Sequence, residues 1–389
     1  MGIKLSKAQN QSLKLIADWY KASGQPYLTL GGYAGTGKTT LIATASNRFR
    51  KDVPKLKIAF CSYTGKAARI LQQKLTEQKA LHKGDSVSTI HRLIYSPVLD
   101  DDDNVIGWEK REIDKFPYRL IVVDEASMVN RAIWNDLLSF KVPVLAVGDH
   151  GQLPPIEGKF NLMSKPHIKL EEIYRQEKDN PIIQLSQLAR TTGEIPVGNF
   201  GKEVMKLPKG DSETGEYLTD LIMSYDQETM ILVGYNNTRT RLNSYVRQQL
   251  EFESPQPQVG DRVICLRNNY KKHIYNGMTG ILRTIEYVND ENGEYYNAVI
   301  DLDDEDQSFR GKISVEQFGR KSTLRDEKRL GIDLFDFSYA LTVHKAQGSQ
   351  ARRVIVFEER FPKMSDIDWR RWLYTAVTRA TDELYIIGS

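Results

Sequence analysis

The sequence predicts an α/β protein of two parallel-sheet lobes, each interrupted by a β insert. Three observations carry that expectation. Short apolar runs alternate with amphipathic helical stretches in two separate blocks, the pattern of parallel strands joined by crossover helices. The string GGYAGTGKTT at 31–40 stands between one such run and a helix. Residues 95–117 and 258–320 instead show hairpin-like or period-two patterning around turn residues.

In chain order, residues 5–22 read as an amphipathic helix. Strands are expected at Tyr27–Leu30, Lys57–Cys61, Leu120–Val123 and Val142–Val147, with helices at 38–49, 65–75 and 129–139. The second block opens near residue 180. Met230–Val233 precedes a helix at 237–250, Phe335–Leu341 precedes a short helix, and Arg353–Phe357 and Glu383–Ile387 are further strands. The 95–117 insert is a hairpin turning at Asp100–Asn104. The 258–320 insert turns at Asn276-Gly277 and Asn292-Gly293 and reads as a small β-barrel. The expected domains are 1–94 with 118–178, the hairpin 95–117, 179–257 with 321–389, and the barrel 258–320.

Composition narrows the function classes. The chain has 389 residues, of which 40% are hydrophobic and 27% charged, with a mean hydropathy of −0.47. No apolar run approaches the ~20 residues of a membrane helix, and the amino terminus lacks the apolar stretch of a secretory signal. With only Cys61 and Cys265, a disulfide framework and a thiolate zinc site are excluded. A cytoplasmic protein without a membrane partner is expected. The net charge of +3 allows a local basic groove on a neutral body, not a surface that coats nucleic acid throughout.

The loop at 31–40 contains Gly32-x-x-x-x-Gly37-Lys38-Thr39, a phosphate-binding loop. Its glycines let backbone N–H groups converge on phosphate, and the following helix adds its positive dipole end. Gly35, Thr36, Gly37, Lys38, Thr39 and Thr40 are the expected nucleotide ligands, with Lys38 reaching the β- and γ-phosphates and the Thr39 hydroxyl holding Mg²⁺. LIVVDEAS at 120–127 ends an apolar strand on Asp124-Glu125. There Asp124 would hold Mg²⁺ through water and Glu125 would take a proton from the attacking water. ATP and Mg²⁺ are the expected cofactors.

Further strings follow: FCSYTGKAA (60–68), STIHRL (88–93), VDEASMV (123–129), VGDHGQLPP (147–155), LEEIYRQ (170–176), YALTVHKAQG (339–348) and WLYTAVTRA (372–380). In this order, from about residue 6 to residue 387, the set closely resembles the superfamily 1 helicases, and within them the RecD/Dda-like branch. The resemblance implies two RecA-like lobes with ATP between them and single-stranded DNA across the top. It implies that Gln152 senses the γ-phosphate, that Arg175 and Arg379 reach ATP from the second lobe, and that Gln9 reads the adenine edge. Tyr174 matches an aromatic that stacks on adenine, with core packing as its rival role.

For DNA, the resemblance assigns backbone contacts to Thr64, Lys66, Thr89 and His91 in the first lobe and to Thr342, His344 and Lys345 in the second. It puts Gln347-Gly348 near phosphate. Asn236 and Arg239, in NNTRTRLN, are DNA contacts or an exposed helix cap. GDRVICLRNNY (260–270) and YNGMTGIL (275–282) resemble the Src-homology-type (SH3-like) barrel of RecD-like second lobes. The hairpin matches the family's pin, with Trp108 either meeting the terminal base pair or packed beneath the hairpin. Pro154-Pro155 replaces the aromatic-rich continuation of UvrD-like translocases, which favours 5′-to-3′ movement by analogy. A compact chain is expected, without a large amino-terminal extension or a nuclease domain, and it resembles phage-encoded helicases of a host cytoplasm.

The implied function is an ATP-dependent DNA helicase and translocase in replication, recombination or repair. Its implied partners are single-stranded DNA, forked or tailed duplexes and a single-strand binding protein or replisome component, with a monomer as the working form. An RNA-directed motor and a single-strand binding or annealing protein with little unwinding activity are the alternatives.

Overall fold

The computed structural model describes residues 5–22, 24–99, 105–154, 160–173, 179–269, 272, 274–291, 293–303, 308–324 and 331–389. Of residues 66, 97, 99 and 105–108 only the backbone is described. The chain forms two compact units, Met1–Val98 with Trp108–Arg190, and Leu99–Gly107 with Thr191–Ser389.

The first unit begins with helix α1 (Lys7–Ala22), then β1 (Tyr27–Gly32), α2 (Lys38–Asp52), β2 (Ile58–Ser62), α3 (Gly65–Glu77), β3 (Ser86–Thr89) and α4 (Ile90–Ile94). The hairpin strands β4 (Tyr95–Leu99) and β5 (Val105–Lys110) come next, followed by β6 (Leu120–Asp124), α5 (Arg131–Leu138), β7 (Val144–Gly148), β8 (Ile168–Leu170) and α6 (Pro181–Thr191). Six strands form a parallel sheet in the order β3-β2-β6-β7-β1-β8. Leu120 and Val122 of β6 join the core built with α1 and α2, whereas Ile121 and Val123 join the core built with α4 and α5. Alternate side chains thus bury on opposite faces, which is why the strand reads as an unbroken apolar run.

Turn chemistry sets the helix starts. Thr64, Thr89 and Asn130 each accept a backbone N–H with their side chains at the heads of α3, α4 and α5. The hairpin is a two-stranded sheet of β4 and β5, and its turn at 100–104 lies outside the described residues. Its base is held on α5: the Tyr95 hydroxyl donates to Asp136 at 2.6 Å, and Lys110 donates to Ser139 at 3.1 Å.

The second unit contains β9 (Gly198–Gly201), β10 (Val204–Pro208), α7 (Ser212–Met223), β11 (Thr229–Val233), α8 (Asn236–Gln249), β12 (Arg262–Cys265), β13 (Thr279–Asp290), β14 (Gly293–Leu302) and β15 (Phe309–Ser314). It ends with β16 (Phe335–Phe337), β17 (Ala340–Thr342), β18 (Ala351–Phe357), α9 (Asp366–Val377) and β19 (Ala380–Gly388). The main sheet runs β17-β11-β18-β19-β10-β9, parallel except for the β9 edge. The insert is an antiparallel sheet in the order β15-β14-β13-β12-β16. A parallel bridge between Ile313 and Asp333 links β15 to the chain leading into β16.

The expected strand Phe335–Leu341 divides in two. Phe335–Phe337 pairs with β12 in the insert, whereas Ala340–Thr342 pairs with β11 in the main sheet. One apolar run serves two sheets because Asn243 of α8 bonds to the chain on both sides of the break. Its amide accepts from Ala340 N and donates to the carbonyls of Phe337 and Ala340. Two buried ion pairs tie α8 to the same region, Arg239 to Asp336 at 2.7 Å and Arg247 to Asp261 at 2.8 Å. Removing one member of such a pair costs about 3–5 kcal/mol, because the other charge stays buried.

Candidate functional site

Parallel pairing gathers the motifs at one edge of the first sheet. The register aligns Gly31 with Gly148 and Ser62 with Asp124, so β1, β2, β6 and β7 all end at the same side. In open parallel sheets ligands bind outside the carboxyl ends of the strands. The phosphate loop, the start of α3, Asp124-Glu125 and the Asp149–Gln152 turn leave from this edge.

The loop itself fits phosphate. Gly35 and Gly37 have φ of 74° and 77°, the left-handed region that a β-carbon disfavours. A β-carbon on Gly37 would also lie 2.5 Å from Gln9 Nε2. Gly37 caps α2 with no side-chain hydrogen bond, so the first N–H groups of the helix are left for an anion. Lys38 Nζ donates to the carbonyls of Gly32 at 2.7 Å and Tyr33 at 3.0 Å, within its own loop. Thr36 is buried and donates its hydroxyl to Tyr33 O at 2.8 Å. Thr39 and Thr40 open α2, partly exposed.

Gln9 is 3% exposed, and its amide donates to Thr36 O at 3.0 Å. It braces the loop in this structure.

Burial pushes the Asp124 carboxyl above the ordinary carboxylate range, and the Lys38 ammonium is the chief influence pulling it back. A carboxylate in that setting suits a divalent cation, and Asp124 with Thr39 would hold one. Among the described residues no group of three or more His, Cys, Asp or Glu forms a self-sufficient metal cluster, so the substrate would have to complete the coordination. Glu125 has a φ of 52°. Left-handed backbone at a non-glycine costs roughly 1–3 kcal/mol and concentrates at working sites.

Gln152 is 6% exposed, and its Oε1 has no hydrogen-bond partner among the described residues. Tyr174 and Arg175 lie outside the described residues. Arg379 is 2% exposed and donates to Thr375 O at 3.0 Å and Ser349 O at 3.1 Å, beside Gly348, whose φ is 76°. Gln347 is buried nearby in sequence.

The expected DNA residues also sit at helix starts and strand ends. Thr64 and Thr89 cap α3 and α4, and His91 is packed within 6.2 Å of Tyr63 and 6.1 Å of Tyr95, ring centre to ring centre. Burial lowers the His91 pKa to about 4 and lowers that of His344 too. Both imidazoles are therefore neutral near pH 7 and hydrogen-bond without bringing charge. Lys345 is lowered to about 8 by burial, with Arg239 adding to the fall and Asp336 opposing it. Thr342 closes β17 and accepts Lys345 N at 2.9 Å. Asn236 accepts from Arg239 Nε at 3.2 Å, and Arg239 is committed to Asp336 and to Arg320 O. That locks Arg239 as an internal brace. The side chains of Lys66 and Trp108 lie outside the described residues.

Sequence reasoning missed Tyr33, His150 and Arg190. The Tyr33 and His150 rings lie 4.2 Å apart, and the Arg190 guanidinium lies 3.9 Å from the Tyr33 ring centre. Only the position of Tyr33 inside the loop could have flagged it.

A phosphate loop, an acidic pair and a buried glutamine on one parallel-sheet edge define a P-loop nucleotide-binding protein. Residues 4–200 match the family described as an AAA domain, and residues 337–387 match the UvrD-like helicase C-terminal domain. The ATP-dependent RecD2 DNA helicase of Deinococcus radiodurans is 28% identical over 94% of this chain and 47% of its own length. The chain thus spans about half the length of that relative. The ATP-dependent DNA helicase Pif1 of Campylobacter jejuni is 24% identical over 91% of this chain and 86% of its own. The Bacteroides Pif1 helicase, solved with ADP-AlF3 and single-stranded DNA, shares the fold with a TM-score of 0.51 and 18% identity, covering 99% of this chain and 92% of that one. The chain belongs to the superfamily 1 helicases, in the RecD/Pif1/Dda branch.

Proposed function

We propose that the protein is an ATP-driven motor that moves 5′ to 3′ along single-stranded DNA and separates forked or tailed duplexes. The observation that carries this reading is the convergence of the loop at 31–40, Thr64, Asp124-Glu125 and Gln152 at the carboxyl edge of one parallel sheet. Likeness to RecD2 and Pif1 over more than nine-tenths of this chain supports the substrate class.

In this reading the α2 N-terminus and Lys38 hold the ATP phosphates, and Tyr174 and Gln9 hold the base, for which the Gln9 amide must exchange its bond to Thr36 O. Mg²⁺, held by Thr39 and Asp124, neutralises phosphate charge when bound. Glu125 takes the proton from the attacking water, and Gln152 registers the terminal phosphate. Arg175 and Arg379 place positive charge on the transferring phosphoryl group, so Arg379 must exchange its bonds to Thr375 and Ser349 when it acts. Thr64, Lys66, Thr89, His91, Asn236, Thr342, His344 and Lys345 hold the strand by its backbone, without sequence preference.

The finer architecture belongs to the same proposal. The hairpin 95–117 is a strand-separating pin, and its base on Asp136 and Ser139 gives it a rigid mount. The insert is a small SH3-like barrel, and the Ile313–Asp333 bridge supports closure of its sheet. Measuring ATP turnover with single-stranded DNA, RNA or no polynucleotide tests the substrate class. Stimulation by DNA is expected; stimulation by RNA alone contradicts it.

A further inference from the structure

Tyr33 stands at the centre of the phosphate loop. Its carbonyl accepts the Lys38 ammonium at 3.0 Å, the Thr36 hydroxyl at 2.8 Å and Thr36 N at 3.3 Å, and its own N–H donates to Leu170 O at 3.3 Å. The residue that orients Lys38 and Thr36 is thus anchored on β8. Its ring is held as well. His150, in the turn leading to Gln152, lies 4.2 Å away at an interplanar angle of 43°. Neither His150 ring nitrogen has a hydrogen-bond partner among the described residues, so its contact with Tyr33 is one of packing. The Arg190 guanidinium lies 3.9 Å from the Tyr33 ring centre, well within cation–π range.

Arg190 occupies the last turn of α6 and is the final residue of the first unit; from Thr191 onward the chain belongs to the second. The phosphate loop is therefore clasped by a side chain placed where the chain passes from one unit to the next. We propose that Arg190 is a positioning residue for ATP turnover. Through the Tyr33 ring it holds the loop carbonyl that sets Lys38, and so links nucleotide occupancy to the segment entering the second unit. This rests on the ATPase reading above.

The test uses the full chain and compares Arg190→Ala, Arg190→Lys, Tyr33→Leu and the Arg190→Ala/Tyr33→Leu double variant. Equilibrium binding of a fluorescent ADP is measured beside KM and kcat for ATP with saturating single-stranded DNA. Arg190→Ala should raise KM and the ADP Kd about three- to tenfold, the scale of one cation–π contact, with kcat held within about twofold. Arg190→Lys should recover part of the affinity, because an ammonium keeps the charge over the ring but not the planar stack. The double variant should match Tyr33→Leu alone, since both changes break one contact. Unchanged nucleotide affinity in Arg190→Ala, a fall in kcat at constant KM, no recovery with lysine, or additive losses would each overturn the proposal. Failure of the ATPase reading is distinguishable: wild type would then show no turnover that Lys38→Ala abolishes.

Discussion

The ammonium of Lys38 sits 2.7 Å from the carbonyl oxygen of Gly32, bonded back into the loop that carries it. A γ-phosphate takes over that ammonium more favourably than a neutral carbonyl, because the acceptor then carries an opposite charge as well. Lys38→Ala should therefore lower ATP turnover about 10²-fold or more. Single-stranded DNA binding should stay within about twofold of wild type, since the sheet core is untouched. Steady-state turnover beside fluorescence anisotropy checks both halves.

Arg379→Ala separates chemistry from binding. A charge-stabilising arginine is worth ~10³–10⁵ in rate, so kcat should fall about 10³-fold while nucleotide still binds. Loss of its buried bonds to Thr375 and Ser349 should also cost roughly 1–3 kcal/mol in urea unfolding. A raised KM with unchanged kcat would make it a ground-state ligand only.

Lys345 gives a pH dependence of definite sign. Burial has lowered its pKa to about 8, so its proton and its charge are lost as pH rises through that value. Phosphate favours the charged form, so affinity for single-stranded DNA should fall between pH 7 and 9. Lys345→Met should flatten that fall and reduce the log–log salt slope by about 0.7, one phosphate's share. Acidification from pH 7.5 to 6 should bring no gain from His91, whose pKa burial holds at about 4. Binding titrations over pH and salt decide it.

What was legible in the sequence was local. The phosphate loop announces itself because its glycines, Lys38 and Thr39 act within a few residues of one another. Asp124-Glu125 is readable because an apolar run closes on an acidic pair, and β6 ends on Asp124. The division between β16 and β17 was not legible. Phe335–Leu341 is one apolar run, and only Asn243, far away on α8, marks where it changes sheet. Arg239 looked like a cap or a DNA contact because its partner Asp336 lies far along the chain. The Tyr33–Arg190 contact was hidden for the same reason, as was the use of Gln9 to brace Thr36. Pairings of high sequence separation leave no periodic trace.

The hairpin predicts a separation of activities. Replacing residues 97–113 with a short Gly-Ser linker should preserve DNA-stimulated ATP turnover and single-strand translocation but abolish strand separation. Trp108→Ala should show the same split more weakly, as one aromatic–base stack is worth ~1–3 kcal/mol. Stopped-flow translocation and unwinding assays on the same preparations are the measurement. A deletion that unwinds at the normal rate removes the wedge assignment.

Directional movement on single-stranded DNA is coupled, in the proposed motor, to unwinding. It is tested most directly by offering the wild-type protein, with ATP and Mg²⁺, duplexes bearing only a 5′ or only a 3′ single-stranded tail. Rapid separation of the 5′-tailed duplex is expected, none of the 3′-tailed one, and no separation of either by Lys38→Ala. Unwinding confined to the 3′-tailed duplex, or ATP turnover without unwinding of either, would contradict it.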